Sequence, residues 1–217
     1  LANNGVLFLD EFPEFRKDTL EALRQPIEDG FVTITRASAR STYPAQFMLV
    51  AAMNPCPCGN YGSRITPCRC TAQQIQRYRN RISGPMLDRI DIHVEMGEVG
   101  YNDIAGRSCG EPSSAIRARV NAARAIQTRR YAGMGILFNA QLTNRMMNQY
   151  CVLTSDAESL MKKAFAALKL SARAYTRLLK VSRTIADLAG SEQIKAEHIA
   201  EAIQYRSLES KYWGEIK

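Results

Sequence analysis

Two adjacent carboxylates follow an apolar run close to the start of the chain. Gly-Val-Leu-Phe-Leu at residues 5–9 leads directly into Asp10 and Glu11. A continuous run of branched and aromatic residues is typical of a strand buried on both faces of a parallel sheet, and such sheets bind ligands at the carboxyl ends of their strands. There Asp10 could hold a Mg²⁺ ion while Glu11 orients and deprotonates an attacking water. A buried strand that simply stops in a polar loop would have the same pattern.

Four of the six cysteines lie in two Cys-x-Cys pairs, Cys56 with Cys58 and Cys68 with Cys70. Four thiolates could coordinate a Zn²⁺ ion tetrahedrally, as in closed structural zinc sites. The loop that contains them, residues 55–71, has almost no apolar residues and therefore needs a cross-link to hold its shape. Because the usual knuckle spacing is Cys-x-x-Cys, disulfides and free thiols stay open as alternatives to the predicted zinc site. Clustered cysteines indicate a reducing cytosol more than a disulfide framework.

Positive charge is a second general feature of the chain. The net charge is +8 and the isoelectric point is near 9.3, which suits nucleic acid or nucleotide phosphate as a partner. Arg36 and Arg40 lie near the tip of a predicted hairpin. The densest basic segment could contact nucleic acid, form a solvated face or contact another subunit, and it contains Tyr61, Arg64, Arg69, Arg77, Tyr78, Arg79 and Arg81.

The hydrophobic pattern changes near residue 110. Short strands and loops are predicted before that point, and helices follow a linker at residues 101–112. We therefore predict an α/β domain over residues 1–110 and an all-helical domain over residues 111–217. The predicted elements are a helix at 16–27 interrupted at Pro26, a β-hairpin from 31–36 and 41–44 around a loop at 37–40, buried strands at 47–53 and 90–96, and helices at 113–131, 140–150, 155–168 with a capping box at Ser155, 171–188 and 194–208.

Length and composition limit the possible functions. The chain has 217 residues and 46% hydrophobic content, enough for one or two packed domains. It contains no apolar run long enough to span a membrane, so we expect a soluble, cytoplasmic protein. It also begins with Leu1 and contains no Gly-x-x-x-x-Gly-Lys-Ser/Thr sequence. We therefore interpret it as a fragment that by itself binds ATP weakly or not at all and does not hydrolyse it.

The order of these elements resembles the C-terminal part of an AAA+ ATPase module. The strand ending in Asp10-Glu11 is similar to a Walker B strand, and a strand ending at Asn54, the segment 87–91 and a helical lid with Ser171-Ala-Arg173-Ala follow it. The resemblance implies a truncated AAA+ P-loop core followed by a helical lid. It also implies that strand 90–96 has lost its neighbour, so that it is displaced, paired with another copy or covered by the lid. More narrowly, the chain resembles the magnesium-chelatase-like family of ComM type in Asn54-Pro-Cys-Pro-Cys-Gly59, Gln76-Arg-Tyr78, Ile82-Ser-Gly-Pro85 and Val181-Ser-Arg-Thr-Ile-Ala-Asp187.

This resemblance implies roles for individual residues. Asn54 matches sensor 1, which positions the water or touches the γ-phosphate. Arg89 matches the arginine finger, which acts on the nucleotide of a neighbouring subunit, and Arg173 matches the sensor 2 arginine of the lid. Arg36 and Arg40 lie on a hairpin that projects into the central pore of related helicases, where they would contact DNA.

The residues by themselves also allow plainer interpretations. An asparagine before proline, as at Asn54, often forms a turn. Arg89 could form an ion pair with Asp88 or Asp91, and Arg173 could be a solvated helix arginine.

The function implied by the resemblance is that of a ring-forming, homohexameric ATPase. It would use ATP and Mg²⁺ to drive DNA branch migration in recombination and natural transformation. One alternative is a magnesium-chelatase ATPase subunit that acts on a tetrapyrrole partner. Another is a zinc-stapled DNA-binding or assembly module without catalysis, which would suit a chain that has no phosphate loop.

Overall fold

The computed structural model describes residues 2–36, 39–98, 105, 110–168 and 170–213, with the backbone only for residues 207–213. Strands and helices both occur, and helices predominate. The chain divides into two compact units, Leu1–Ile90 with Glu209–Lys217 and Asp91–Leu208. This division lies earlier in the chain than the predicted domain boundary near residue 110. In the part of the chain that the structure describes, no helix has both the length and the apolar composition needed to cross a bilayer.

Two parallel strands of the first unit place the candidate catalytic residues. They are β1 (Gly5–Leu9) and β4 (Phe47–Ala51). The pairing runs from Gly5 beside Phe47 to Leu9 beside Ala51, so both strands end at the same edge. Apolar side chains explain why these segments form strands, since branched and aromatic residues pack well on a pleated surface.

One face of this sheet is covered and the other is open. Leu9 and Leu49 pack on the core of the first unit. Side chains on the opposite face are exposed, including 58% of Val6 and 59% of Phe8. The prediction that β1 is buried on both faces is therefore wrong for the described residues, because none of them packs on that second face.

The core of the first unit lies against the covered face of the sheet. Its buried side chains are Phe12, Leu20, Ile82, Met86 and Leu87, each at most 3% exposed. The helical segments of this unit lie on both sides of β4 in the sequence and contain all of these side chains except Ile82, which lies in a connecting loop. These segments are a 3-10 turn (Phe12–Glu14), α1 (Lys17–Ala22), α2 (Arg24–Asp29), α3 (Ala72–Arg79) and α4 (Gly84–Leu87).

The predicted helix over residues 16–27 is two helices, α1 and α2. The break falls at Leu23, so the predicted interruption at Pro26 is wrong. Pro26 is the third residue of α2, where a backbone N–H would find no partner within the helix. Its missing N–H therefore costs no hydrogen bond.

The predicted hairpin is confirmed as an antiparallel pair of β2 (Phe31–Arg36) and β3 (Ala39–Pro44). Its second strand begins earlier than predicted, because Arg40 belongs to β3 and not to a loop. The turn residues 37 and 38 lie outside the described residues.

The third predicted strand, residues 90–96, is not a strand. Ile90 to Glu98 has no ladder partner among the described residues, so this prediction is wrong. The backbone N–H of His93 instead donates a hydrogen bond to the carbonyl oxygen of Tyr205 at 2.8 Å. A strand needs a neighbouring strand to satisfy its backbone groups, and a helix supplies the contact here.

The second unit is helical around its own core, which includes Tyr131, Leu178 and Ile199. Thr154, not Ser155, caps the third of its helices, since its hydroxyl accepts a hydrogen bond from the Ala157 N–H at 3.3 Å. The predicted capping box is therefore wrong, because Ala157 has no side-chain acceptor that could return a hydrogen bond to the Thr154 N–H. The helices are α5 (Ser113–Arg130), α6 (Asn144–Tyr150), α7 (Ser155–Ala167), α8 (Ala172–Leu188) and α9 (Ala196–Trp213).

Candidate functional site

Asp10 and Glu11 lie immediately after β1, and both are exposed. Backbone hydrogen bonds continue beyond the strand ends: the Ala52 N–H donates to the Leu9 carbonyl and the Phe12 N–H donates to the Ala52 carbonyl, each at 2.9 Å. The chain on both sides of the two carboxylates is therefore held against the end of β4. Their side chains remain accessible to a cation or a phosphate.

Glu11 has an unusual backbone conformation. Its φ of 49° and ψ of 43° lie in the left-handed region, which costs a residue with a Cβ about 1–2 kcal/mol. Among the described non-glycine residues only Asn4 shares a positive φ. The Glu11 N–H donates to the Asp10 carboxylate at 2.8 Å, which joins the two candidate residues. Strain of this kind clusters at functional sites, where the surrounding structure maintains it.

Asn54 lies three residues after β4, at the same edge of the sheet as Asp10 and Glu11. Asn54 is exposed. The structure thus places two carboxylates and one amide at the carboxyl ends of neighbouring parallel strands, where open α/β sheets bind ligands.

Arg89 is buried, with 7% of its surface exposed. Its guanidinium donates hydrogen bonds to the Glu28 carboxylate and, at 2.6 Å, to the Pro85 carbonyl. Arg89 therefore forms an intramolecular ion pair with Glu28, an acid that the sequence did not indicate. The part that Arg89 would play as an arginine finger stays a prediction.

The other predicted arginines are accessible. Arg173 lies in the first turn of α8 in the second unit, where Ser171 caps the helix by accepting the Ala174 N–H at 3.1 Å. Arg36 and Arg40 are exposed near the end of the hairpin. Arg36 pairs with Ala39 whereas Arg40 pairs with Thr35, so the two arginines point to opposite faces of the hairpin and the structure does not bring them together.

The four sulfur atoms of Cys56, Cys58, Cys68 and Cys70 lie within 4.8 Å of one another. The Sγ–Sγ distances are 3.4 Å between Cys56 and Cys58, 3.7 Å between Cys56 and Cys68, and 3.6 Å between Cys58 and Cys68. A tetrahedral Zn²⁺ with Zn–S bonds of about 2.3 Å needs sulfur atoms about 3.8 Å apart. The cluster has nearly that spacing, and its thiols form no disulfides.

The electrostatics of the cluster also suit a cation. Hydrogen bonds from the backbone of Asn60 and Arg69 lower the pKa of Cys58 to about 6. Burial raises the pKa of Cys70 to about 12, and contact with the Cys58 thiol acts in the same direction. Thiolates at this spacing repel one another, so that their joint ionisation requires a positive ion between them.

Part of the predicted basic segment has a structural role. Tyr78 and Arg79 are only 6% and 3% exposed. The Arg79 guanidinium lies 4.7 Å from the centre of the Tyr61 ring, and its Nε donates to the Pro55 carbonyl at 3.3 Å. Composition alone did not reveal this, and neither did it reveal Glu28 as the partner of Arg89. The sequence signal for this is the apolar residue Ile75, four positions before Arg79, since residues at that spacing share one face of a helix. Both residues are buried in the structure, so Arg79 lies on the inner face of α3.

Two family models match successive parts of the chain. The one described as magnesium chelatase, subunit ChlI, matches residues 1–104, and the one described as magnesium chelatase, subunit ChlI C-terminal, matches residues 110–206. The chain belongs to the magnesium chelatase ChlI family. This confirms the resemblance inferred from the motifs. Together the two matches include every residue placed at the candidate sites.

Three relatives are similar to this chain over most of its length. The protein YifB of Salmonella typhimurium is 45% identical over 210 residues, which are 96% of this chain and 40% of YifB. The competence protein ComM of Haemophilus influenzae is 47% identical over 209 residues, with the same two shares. The zygotic DNA replication licensing factor mcm6-A of Xenopus laevis is 24% identical over 214 residues, 94% of this chain and 24% of that protein. The chain thus spans 40% of the length of the first two relatives.

Proposed function

We propose that this chain is part of an AAA+ ATPase that hydrolyses ATP with Mg²⁺. The observation that carries the proposal is the grouping of Asp10, Glu11 and Asn54 at the carboxyl ends of β1 and β4. Asp10 would hold the Mg²⁺ ion, usually through its water ligands. Glu11 would deprotonate the attacking water, and the Asn54 amide would orient that water or the γ-phosphate without adding charge.

The chemistry proposed is attack of water on the γ-phosphate. Such reactions are accelerated mainly by positioning and by stabilisation of the charge that develops on the phosphoryl oxygens. Arg89 would supply positive charge to the nucleotide of a neighbouring subunit, and Arg173 would do so from the lid. Arg89 would exchange its contact with Glu28 for one with phosphate when it acts.

Zn²⁺ is the metal proposed for the four-cysteine cluster. Four thiolates without an open position form the type of site that zinc occupies for structural purposes. Hydrogen bonds from the backbone of Asn60 and Arg69 to the Cys58 sulfur would hold that ligand in place, as outer contacts of metal ligands do.

For the longer protein we propose a homohexamer that couples ATP hydrolysis to DNA branch migration in recombination and natural transformation. The names of two relatives support this, since ComM is called a competence protein and mcm6-A a DNA replication licensing factor. Arg36 and Arg40 would contact the phosphate backbone from opposite faces of the hairpin.

A second candidate function is that of a magnesium-chelatase subunit acting on a tetrapyrrole partner. The descriptions of both family models favour it. The two candidates differ in their partner. ATP hydrolysis stimulated by DNA would support the first, and hydrolysis stimulated only by the tetrapyrrole-binding partner would support the second.

Replacement of Glu11 tests the proposed reaction. In the full-length protein, Glu11→Gln should keep ATP binding and reduce hydrolysis by about 10²-fold or more, because the amide cannot accept the proton of the water. Calorimetry measures the binding and phosphate release measures the rate. Asp18→Asn is a matched control, since this exposed carboxylate contacts only its sequence neighbours Arg16 and Thr19 among the described residues. Equal loss of binding and hydrolysis in Glu11→Gln would contradict the role of a general base.

A further inference from the structure

The four-cysteine loop begins directly after Asn54 and ends directly before α3. Cys56 is two residues beyond Asn54, and Cys70 is two residues before Ala72, the first residue of α3. We propose that this loop, when it holds Zn²⁺, positions Asn54 for ATP hydrolysis through contacts made by α3. The inference rests on the proposed ATPase function and adds to it a metal-dependent control of the same site.

Two neighbouring residues of α3 contact the start of the loop. The Nε of Arg79 donates a hydrogen bond to the Pro55 carbonyl at 3.3 Å. Burial raises the pKa of the Tyr78 hydroxyl, and the nearby backbone of Asn54 acts in the opposite direction. Both side chains are almost completely buried, so their position is fixed by packing. The backbone of Asn54 and Pro55 is therefore held by the end of α3.

The same helix is fixed to the far end of the loop. Thr71 caps α3 in a capping box, in which its hydroxyl accepts the Gln74 N–H at 3.2 Å and the Gln74 side chain accepts the Thr71 N–H at 2.8 Å. Arg79 also stacks on the ring of Tyr61 within the loop. The start of α3 follows Cys70 and its end contacts Pro55, so the helix spans the two ends of the loop.

The cysteine cluster joins these two ends within the loop. Cys56 is completely buried, whereas Cys58 is exposed, and their sulfur atoms converge with those of Cys68 and Cys70. Since the loop has almost no apolar residues, a bound cation is the main interaction that can keep it ordered. Loss of the ion would release Cys56 and, two residues before it, Asn54. The Asp10 and Glu11 carboxylates, which belong to β1, would keep their positions.

The expected effect is on the rate of hydrolysis and not on ATP binding. A misplaced Asn54 leaves the attacking water poorly oriented, but the residues that bind most of the nucleotide are not part of the loop. In the full-length protein, Cys58→Ser should lose the metal, and kcat should fall by roughly 10–100-fold, with KM for ATP changed by less than about threefold. Elemental analysis should find one zinc per chain in the unaltered protein and less in the variant.

Variants of α3 separate positioning from metal binding. Arg79→Gln removes the guanidinium contacts with Pro55 and Tyr61, and Tyr78→Phe removes only the hydroxyl next to Asn54. Each should retain zinc and lower kcat by several-fold with little change in KM. Arg77→Gln is the matched control, because Arg77 is an exposed neighbour on the same helix. Hydrolysis is measured without DNA, so that any loss of DNA contact does not affect the result.

Removal and return of the metal test the inference without any substitution. Chelation followed by transfer into Mg²⁺ buffer should lower kcat, and added Zn²⁺ should restore it. Unchanged kcat after removal of the metal, or in both α3 variants, would overturn the inference. So would a parallel loss of kcat, ATP affinity and melting temperature in those variants, since that indicates a general folding defect. If Glu11→Gln does not reduce hydrolysis, the proposed function itself fails. If Glu11→Gln acts as expected and the metal has no effect, only the positioning role fails.

Discussion

At the scale of single residues, the pairing of Arg89 with Glu28 gives the predicted arginine finger a structural role as well. The two residues are 61 positions apart, and the Arg89 side chain is only 6% exposed. A buried guanidinium needs a compensating charge, because desolvation otherwise outweighs its favourable contacts. Glu28 therefore stabilises the fold of the first unit. The Glu28 carboxylate also binds the Arg89 guanidinium, which is the group that would contact phosphate in the proposed role of Arg89.

Neutralising this acid should destabilise the protein. Glu28→Gln should lower the free energy of unfolding by about 1–3 kcal/mol, because the amide removes the negative charge that pairs with the buried Arg89 guanidinium. Urea denaturation measures the change. Asp18→Asn serves as the control: it breaks an ion pair whose side chains are 84% and 64% exposed, and such pairs contribute about 0–1 kcal/mol. Equal effects of the two substitutions would show that burial of Arg89 does not strengthen its ion pair.

At the scale of elements, α8 carries a buried polar network that joins it to α5. The Asp187 carboxylate accepts hydrogen bonds from Arg130 at 2.5 Å and 2.9 Å, from Arg183 at 3.1 Å and from the Asn139 amide at 2.9 Å. Arg183 is completely buried and also donates to the carbonyls of Ser191 and Glu192. The motif Val181–Asp187, which carried part of the family resemblance, contains two members of this network.

Removing the charge at the centre of the network should cost considerably more than removing an exposed one. Asp187→Asn should lower the free energy of unfolding by about 3–5 kcal/mol, since the buried guanidinium of Arg183 and the partly buried one of Arg130 lose their anion. Glu158→Gln, which affects the exposed pair with Lys162 one turn away, should lower it far less, because solvent screens that pair. Loss of helical circular dichroism with rising urea would measure both. Errors in such measurements are about 1 kcal/mol. If the free energy of unfolding of Asp187→Asn differs from that of the unaltered protein by no more than this, the account is contradicted.

Elements specified by local patterns were predictable from the sequence. The hairpin followed from the alternation of Val32 and Ile34 with polar residues, and the long helices of the second unit followed from their apolar spacing. The short helices α3 and α4 were not predicted, and α6 begins at Asn144 and not at residue 140. Residues 90–96 were mispredicted because strand formation depends on a neighbour that the local pattern does not reveal. The carboxylates, the amide and the cysteines of the candidate sites were recognisable for the same local reason. Their supports, Arg79 and Glu28, depend on contacts between distant segments and were not.

At the scale of the whole molecule, high positive charge coexists with an open apolar face on the β1–β4 sheet. Exposed apolar side chains on this face lie beside one another across the pair, Val6 beside Met48 and Phe8 beside Val50. Contiguous exposed apolar surface promotes association, whereas a net charge of +8 opposes it. Salt should therefore shift the balance, because it screens the charge and leaves the apolar attraction.

We expect this 217-residue chain to self-associate through that face, more strongly as ionic strength rises. Phe8→Thr should reduce the association without loss of the strand, since threonine also favours strands. Sedimentation velocity at low and high salt measures the effect. Ile65→Thr is the control, because Ile65 is 74% exposed but lies in the cysteine loop, away from the sheet. A chain that stays monomeric at every salt concentration, or an equal effect of both substitutions, would contradict the expectation.

The left-handed backbone of Glu11 has a consequence for how the protein tolerates sequence variation. A library with every amino acid at position 11 would be ranked differently by two selections. Selection for folded protein would favour glycine and asparagine, which adopt this conformation at little cost, over valine or isoleucine. Selection for nucleotide turnover would retain glutamate, the residue with a carboxylate of the required reach. The difference between the two rankings would measure how much folding stability is lost at position 11 because glutamate is kept there for the proposed hydrolysis.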